Sequence, residues 1–115
     1  WKGNSEKLYV FEAPIDLLSY ISLHPENWKE HSYVSLCGVS EQAMLKQLEL
    51  QEQISEVYLC LDNDVAGQAA TKRLTERLHS LGDWKVEQLY PQYKDWNDDL
   101  KESCSEQKGE MTLAI

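Results

Sequence analysis

The sequence has no long hydrophobic run and little cysteine. None of its apolar stretches approaches the roughly 20 residues that a helix needs to cross a bilayer, and no signal peptide is visible. Its 3 cysteines form no pair at the spacing of a metal site. An odd cysteine count without a secretory signal argues against a disulfide framework. We therefore expect a cytoplasmic protein with no membrane segment.

Basic residues are also scarce. The chain has 11 Lys and Arg against 20 Asp and Glu, which gives a formal net charge of -9 at pH 7. Phosphate backbones are bound mainly by clusters of Lys and Arg, so this composition excludes a conventional basic nucleic-acid interface. Nucleic acid would need divalent cations held by the carboxylates, or a basic neighbouring domain. Taken alone, the charge is explained more simply by a solvated acidic surface.

The chain has the size of one ordinary domain. Its 115 residues, 42% hydrophobic and 27% charged, are typical of a soluble globular fold with a single core. We expect a compact domain over residues 1–102 and a polar tail over residues 103–115. Because the chain begins at Trp1 rather than at a methionine, we expect it to be a piece of a longer protein. Its full activity would then need regions outside this sequence.

Short apolar runs alternate with helical patterns along the chain. Strands are predicted at Leu8–Phe11, Tyr33–Leu36, Val57–Leu61 and Val86–Tyr90. Helices are predicted at Ala13–Leu23, Glu41–Leu50 and Val65–Leu81. This alternation implies βαβ units with right-handed crossovers. We therefore predict an α/β fold of the Rossmann-like kind, with a mainly parallel four-stranded sheet and helices on both faces.

The predicted helix ends follow from capping residues. Ser40 is a candidate N-cap for the second helix and Asp64 for the third, and Gly82 is placed to stop the third. The third helix is the longest, and its apolar spacing predicts an inner face against the sheet. That face would consist of Ala66, Ala69, Ala70, Leu74 and Leu78.

Acidic side chains follow the predicted strands at their carboxyl ends. Glu12 follows the first strand, and Asp62 and Asp64 follow the third. After the fourth strand and a proline turn come Asp95, Asn97 and Asp98. The carboxyl ends of parallel strands meet at one edge of a sheet, so these groups should lie together. Crowded carboxylates repel one another unless a cation neutralises them, and Mg²⁺ or Mn²⁺ prefers such oxygen ligands.

Each acidic residue also has a purely structural explanation. An Asp before a long helix is commonly only an N-cap, so for Asp64 capping and metal binding are equally good interpretations. Glu12, before Pro14, could be a solvated loop residue. Asp95, Asp98 and Asp99 could be a charge cluster at a helix start, which the helix dipole favours. Only their joint placement favours a metal site.

Four segments carry motifs in a fixed order. They are YVFEAPID at Tyr9–Asp16, LCGVS at Leu36–Ser40, LCLDNDVAGQ at Leu59–Gln68 and YPQYKDWN at Tyr90–Asn97. The first resembles the strand-ending glutamate of the Toprim family, and the second resembles the glycine turn of bacterial primases. The third is similar to the family's Asp-x-Asp strand end with its Ala-Gly helix opening. The fourth is similar to the primase segment in which proline precedes a Lys-Asp turn.

The resemblance covers the chain from about Leu8 to Leu100 and has two departures. Ala13 stands where primases usually have glycine after the glutamate, which indicates a subfamily distinct from the replicative primases. Asn97 stands at the second acid of the last motif, which leaves the number of bound metals open. The Ala-Gly opening and the Lys-Asp turn favour a primase-type protein of the kind that plasmids or other mobile elements carry.

The resemblance implies roles for individual residues. Glu12 would be the general acid or base, and Asp62 and Asp64 would hold Mg²⁺ or Mn²⁺. Further site residues would be Asp95 as another metal ligand, with Asp16, Lys94 and Asn97 as additional candidates and Lys94 as a phosphate contact. The implied reaction is nucleotidyl transfer on nucleic acid, as in primer synthesis for DNA replication. The implied partners are a DNA template, nucleotides and other replication proteins.

Other functions remain open. Members of the Toprim family also include nucleases and topoisomerases, so strand cleavage is one alternative, and a non-catalytic acidic docking module is another. The segment Asp62–Val65 also resembles the nucleophile motif of haloacid dehalogenase-like phosphatases. That motif follows the first strand of its domain, however, so its position here argues against a phosphatase. A response-regulator receiver ranks last because only Glu12 follows the first strand.

Overall fold

The computed structural model describes residues 1–37 and 41–104. The strands are β1 (Lys7–Phe11), β2 (Ser32–Ser35), β3 (Glu56–Leu59) and β4 (Lys85–Gln88). The helices are α1 (Pro14–Leu23), α2 (Gln42–Leu50) and α3 (Val65–Leu81), with a 3₁₀ turn at Trp28–Glu30. Residues 96–104 are helical and are called α4 here. Of the predicted polar tail, residues 103 and 104 belong to this helix, and the remainder lies outside the described residues.

The strands form one parallel sheet in the order β2-β1-β3-β4. β1 lies inside the sheet, where Tyr9 is paired with Tyr33 of β2 and Tyr58 of β3. The prediction of a parallel four-stranded α/β sheet is confirmed. Three strands end earlier than predicted: β2 at Ser35, β3 at Leu59 and β4 at Gln88. Beyond β3 and β4 the chain turns into the loops that carry the acidic residues.

Helices cover both faces of the sheet, as predicted. The side chains of β1 alternate between the faces, because successive residues of a strand point in opposite directions. Leu8 and Val10 pack in an aliphatic core with α2 and α3 residues such as Met44 and Leu74. On the opposite face lies an aromatic core, formed by Tyr9, Phe11, Tyr33, Cys60 and Trp96 with partly buried residues of α1.

The start of α3 is fixed by two residues. The Asp64 carboxylate accepts a hydrogen bond from the Gly67 backbone N–H at 2.7 Å, so the predicted N-cap is confirmed. A Cβ at Gly67 would clash with the backbone carbonyl of Asp62, so only glycine lets the helix approach this loop so closely. Gly82 follows the last residue of α3, as predicted. The predicted cap of α2, Ser40, lies outside the described residues.

The inner face of α3 differs from the prediction. The residues buried on this helix are Gly67, Thr71, Leu74 and Leu78. Ala66 and Ala69 are exposed, so their predicted places in the inner face were wrong. The close contact at Gly67 sets the rotation of the helix, and residues spaced by three or four from it then face the sheet. Among the described residues, no helix has the length and apolar character of a membrane span.

Candidate functional site

The candidate site lies where β1 and β3 end at the carboxyl edge of the sheet. Hydrogen bonds hold the backbone there on both sides of β1. The Leu36 N–H donates to the Phe11 carbonyl and the Cys60 N–H donates to the Val10 carbonyl, each at 2.8 Å. Glu12 follows Phe11 directly. The sheet thus holds Glu12 and Asp62 at the ends of neighbouring strands.

The Asp62 carboxyl group combines an unpaired buried oxygen with a raised pKa. Its Oδ1 atom is buried and has no hydrogen-bond partner among the described residues. The pKa of Asp62 is raised to about 7, first by burial and then by the nearby charges of Glu12 and Asp16, a hydrogen bond with Glu12, and the charge of Asp95. A carboxyl group in this setting holds its proton up to neutral pH. A cation could replace that proton.

Asp16 joins the same cluster from α1. Its side chain is only 5% exposed, and its carboxylate accepts a 3.3 Å hydrogen bond from the Asn97 backbone N–H. Burial raises its pKa, the bond from Asn97 lowers it, and the charges of Asp95, Glu12 and Asp98 raise it further. The Asn97 side chain accepts a 3.4 Å hydrogen bond from the Ser19 hydroxyl. Asp16 and Asn97 therefore join α1 to the start of α4 beside the site.

Other predicted ligands cap helices and turns. Asp64 caps α3 through one oxygen, and Asp95 accepts a 2.8 Å bond from the Asp98 N–H at the start of α4. A single oxygen of each carboxylate is used in these bonds. Capping, one of the two interpretations of Asp64, is therefore observed.

Asn63 connects the loop after β3 with the loop after β4. Its N–H donates to the Lys94 carbonyl at 2.7 Å, and its side-chain amide donates to the Pro91 carbonyl at 3.2 Å. The buried Trp96 indole N–H adds a 3.0 Å bond to the Cys60 carbonyl. These bonds hold Asp62 and Asp95 on one edge. Nothing in the sequence pattern pointed to Asn63, because its role depends on a loop about thirty residues away.

Lys94 contributes its backbone rather than its side chain to this arrangement. Its carbonyl receives the bond from Asn63, while the side chain is exposed. Within the described ranges, the Lys94 ammonium group makes no ion pair. The structure leaves it free to reach a ligand but does not direct it into the carboxylate cluster.

The carboxylate cluster offers few protein ligands to a divalent metal. Across residues 1–37 and 41–104, no group of three or more His, Cys, Asp or Glu side chains is arranged to hold an ion. Mg²⁺ does not need such a cage, because it is commonly bound by one or two carboxylates, with waters and substrate phosphates as the other ligands. The unpaired Oδ1 of Asp62 beside Glu12 supplies that kind of donor. The residues therefore fit an ion that substrate helps to bind.

A cleft of about 480 Å³ opens beside the carboxylates, on the α3 face of the sheet. Its walls are formed by Glu12, Ala13, Leu36, Leu61, Ala66, Ala70 and Arg73. Arg73 was not among the predicted site residues. The spacing of Ala66, Ala70 and Arg73, which places them on one side of α3, is the pattern that could have indicated it.

Comparison with known proteins gives a family and several relatives. The sequence pattern of the Toprim-like family matches residues 9–100. An uncharacterized protein of Bacillus anthracis, pXO2-78, is 32% identical over 92% of this chain and 35% of its own length. The uncharacterized protein MG010 of Mycoplasma genitalium is 33% identical over 84% of this chain and 42% of its own length. The chain thus spans less than half the length of these relatives.

Two solved structures are similar to the fold. The primase fragment of the bacteriophage T7 primase-helicase protein superposes with a TM-score of 0.68 and 27% identity, over 90% of this chain and 41% of that fragment. A protein from Aquifex aeolicus superposes with a TM-score of 0.56 and 18% identity, over 85% of this chain and 78% of its own. The second likeness concerns the fold alone.

Proposed function

The chain belongs to the Toprim-like family, and we propose that it is the Toprim part of a primase-like protein that carries out metal-dependent nucleotidyl transfer in primer synthesis. The observation that carries this proposal is the buried, unpaired Oδ1 atom of Asp62 beside Glu12. A stable fold rarely leaves a buried carboxylate oxygen without a partner unless that atom has another use.

The proposed roles divide between the carboxylates. Asp62 holds Mg²⁺ or Mn²⁺, and Asp64 and Asp95 contribute through the oxygens that do not cap helices. When bound, the ion would neutralise charge on the reacting phosphate and orient the attacking oxygen. Glu12 lies beside this position and takes the proton of the attacking hydroxyl group as general base.

The surrounding residues support these roles. Asp16 accepts a hydrogen bond from the Asn97 backbone N–H, which fixes the start of α4 at the edge of the site. Lys94 is proposed to contact a phosphate of the nucleic acid, since its ammonium group is exposed on the loop that Asn63 holds in place. DNA, nucleotides and other replication proteins are the proposed partners. The free cysteines Cys37, Cys60 and Cys104 accord with a proposed location in the reducing cytoplasm.

A non-catalytic docking role is the second candidate. It is favoured by the use of Asp64 and Asp95 as caps and by the lack of a three-residue metal group in the described part of the chain. The two candidates differ in a single measurable property. A docking module would show no saturable binding of Mn²⁺ that depends on Asp62, with or without nucleotide.

The test is a calorimetric titration of the chain with Mn²⁺, and then with Mg²⁺, at pH 8. We expect saturable binding in the parent and binding weaker by about tenfold or more in Asp62→Asn. Asp83→Asn is the matched control, because it removes the same charge from an exposed carboxylate at the opposite edge of the sheet. Equal affinity in Asp62→Asn and Asp83→Asn would contradict the proposed site.

A further inference from the structure

The two outer strands of the sheet differ in what covers their free sides. The segment before β1 runs antiparallel to β2, where the nitrogen and carbonyl of Trp1 exchange hydrogen bonds of 3.0 and 2.9 Å with the backbone of Tyr33. The Ser5 N–H continues this pairing by donating to the Glu30 carbonyl at 2.8 Å. In the part of the chain that the structure describes, no strand lies beyond β4. The free side of β2 is therefore covered, and that of β4 is open.

The free side of β4 presents backbone groups at alternate residues. The N–H groups of Lys85 and Leu89 donate toward β3, to backbone carbonyls at 2.9 and 3.0 Å. Successive residues of a strand turn their backbone groups to opposite sides, so the N–H and carbonyl groups of Val86 and Gln88 point away from β3. Such a row of outward groups is a template for a further strand. A strand that pairs here must turn its own outward groups toward Val86 and Gln88.

The charged side chains of β4 decide which strand fits. Charges on an outer strand usually prevent pairing with a second copy, because like charges then meet. On β4, Lys85 and Glu87 lie on the same face of the sheet with Val86 between them. The Lys85 ammonium group is 3.7 Å from the Glu87 carboxylate and 4.0 Å from that of Glu56. Lys85 and Glu87 are both exposed, so each is able to turn to an opposite charge on another strand. The segment Lys-Val-Glu is its own complement in the antiparallel direction.

Two antiparallel copies of β4 can pair about a two-fold axis in few registers. Because outward backbone groups must face outward groups, Val86 lies opposite residue 84, 86 or 88 of the second copy. In the first of these registers the two Lys85 side chains face each other, and in the third the two Glu87 side chains do so. With Val86 opposite Val86, each Lys85 faces the Glu87 of the other copy. Opposite charges across a strand pair stabilise it and like charges destabilise it, so only this register is favoured.

We propose that two copies of this chain associate through β4, antiparallel about a two-fold axis at Val86. Two four-stranded sheets then join into one sheet of eight strands, through an isologous interface that uses the same surface of both copies. Pairing of a strand of 4 residues buries less surface than a standard interface, so the dimer is weak and depends on concentration. The proposal goes beyond the proposed function and does not rest on it, because no carboxylate of the candidate site takes part.

The first test is sedimentation equilibrium of the parent and of two charge variants, from about 10 μM to about 1 mM. Lys85→Glu and Glu87→Lys each replace both facing pairs by like charges, so we expect either to weaken dimerisation by about tenfold or more. Lys72→Glu and Glu49→Lys are matched controls, because they make the same charge changes at exposed positions of α3 and α2. The controls should stay within about twofold of the parent. A parent that remains monomeric, or charge variants that dimerise as well as their controls, would overturn the proposal.

An equimolar mixture of the two charge variants tests the register. In a mixed dimer, the strand from Lys85→Glu carries only acidic groups at the two positions and the strand from Glu87→Lys only basic groups. Both facing pairs are then opposite in charge again. We expect the mixture to dimerise at least as well as the parent at concentrations where each variant alone is monomeric. Such recovery on mixing supports the pairing, since a folding defect would not be repaired by it. A mixture that stays monomeric would overturn the pairing of Lys85 with Glu87.

A third comparison tests the backbone pairing. The Gln88 N–H points away from β3, so Gln88→Pro keeps the bonds between β3 and β4 but removes a donor to the second copy. Gln88→Ala is the control, because it keeps the N–H and removes only the side chain, which accepts a 3.2 Å bond from the Tyr90 hydroxyl. We expect dimerisation to weaken by about tenfold or more in the proline variant and to stay within about threefold of the parent in the alanine variant. Equal association of the two variants would overturn the proposed backbone pairing.

The dimer and the metal site are tested independently. Asp62→Asn should dimerise within about twofold of the parent, because Asp62 takes no part in the β4 interface. Lys85→Glu should bind Mn²⁺ as well as its control Lys72→Glu, because neither side chain is a proposed ligand. Loss of dimerisation in Asp62→Asn would contradict the placement of the interface at β4. Failure of one proposal therefore leaves the other standing.

Discussion

The loop after β3 and the loop after β4 are both rich in carboxylates, but they use them differently. After β4, both oxygens of Asp99 accept 2.8 Å bonds from the Gln92 and Tyr93 N–H groups, and Asp95 accepts one from Asp98. After β3, the Oδ1 atom of Asp62 is buried without a partner. Backbone N–H groups stabilise the carboxylates after β4 through hydrogen bonds. After β3, in contrast, Asp62 is surrounded by other carboxylates.

The difference shows where acidic residues stabilise the fold and where they oppose it. A carboxylate that accepts backbone hydrogen bonds stabilises a turn or a helix start. A carboxylate buried beside Glu12 and Asp16 opposes folding whenever it is charged, since neither desolvation nor repulsion is offset. An ion bound only by the folded state would reverse that effect. Substitutions in each region can test the contrast.

The largest effect is expected for Gly67→Ala. Alanine normally stabilises a helix interior relative to glycine by about 1 kcal/mol. Here its Cβ would collide with the backbone carbonyl of Asp62, so the loop or the helix must move. We expect a loss of about 2 to 3 kcal/mol in the free energy of unfolding, measured by urea denaturation. Lys72→Ala, on the exposed side of α3, is the control, and a stabilised Gly67→Ala protein would show that the close contact is not needed.

A smaller loss is expected for Asp99→Ala. The substitution leaves the Gln92 and Tyr93 N–H groups without their acceptor and loosens the turn before α4. Since this turn is partly exposed to water, we expect a loss of about 1 to 2 kcal/mol in unfolding free energy. Asp98→Ala removes the same charge from the neighbouring residue and should change stability by less than about 0.5 kcal/mol. Equal losses in both variants would mean that charge, rather than hydrogen bonding, holds the turn.

The sequence predicted the sheet because its strands are strongly patterned. Leu8–Phe11 is a continuous apolar run, as expected of a strand covered on both faces, and Glu12 and Asp62 follow their strands closely enough to be assigned to one edge. The rotation of α3 could not be predicted, since it depends on the contact between Gly67 and the Asp62 backbone.

The hydrogen-bond partners of individual polar residues also could not be predicted from the sequence. Asn63 and Asp99 act through backbone groups of the loop after β4, and their geometry is set only when that loop folds against β3. Arg73 had no motif to mark it, and its place beside Glu12 follows from the way α3 lies on the sheet. Sequence spacing therefore located the acidic residues of the site but not the groups that orient them or complete the cleft.

The smallest effect is the pH dependence of stability that Asp62 contributes. Because burial and neighbouring carboxylates raise the pKa of Asp62 from its ordinary value of 3.8 to about 7, the folded state holds the proton more tightly. Its stabilising contribution is therefore complete below about pH 4 and is lost as the pH rises through 7. With allowance for solvent screening, we expect the parent to lose about 1 kcal/mol relative to Asp62→Asn between pH 4.5 and 8. Urea denaturation in EDTA measures this difference, with Asp83→Asn expected to follow the parent. Parallel curves for the parent and Asp62→Asn would contradict the raised pKa of Asp62.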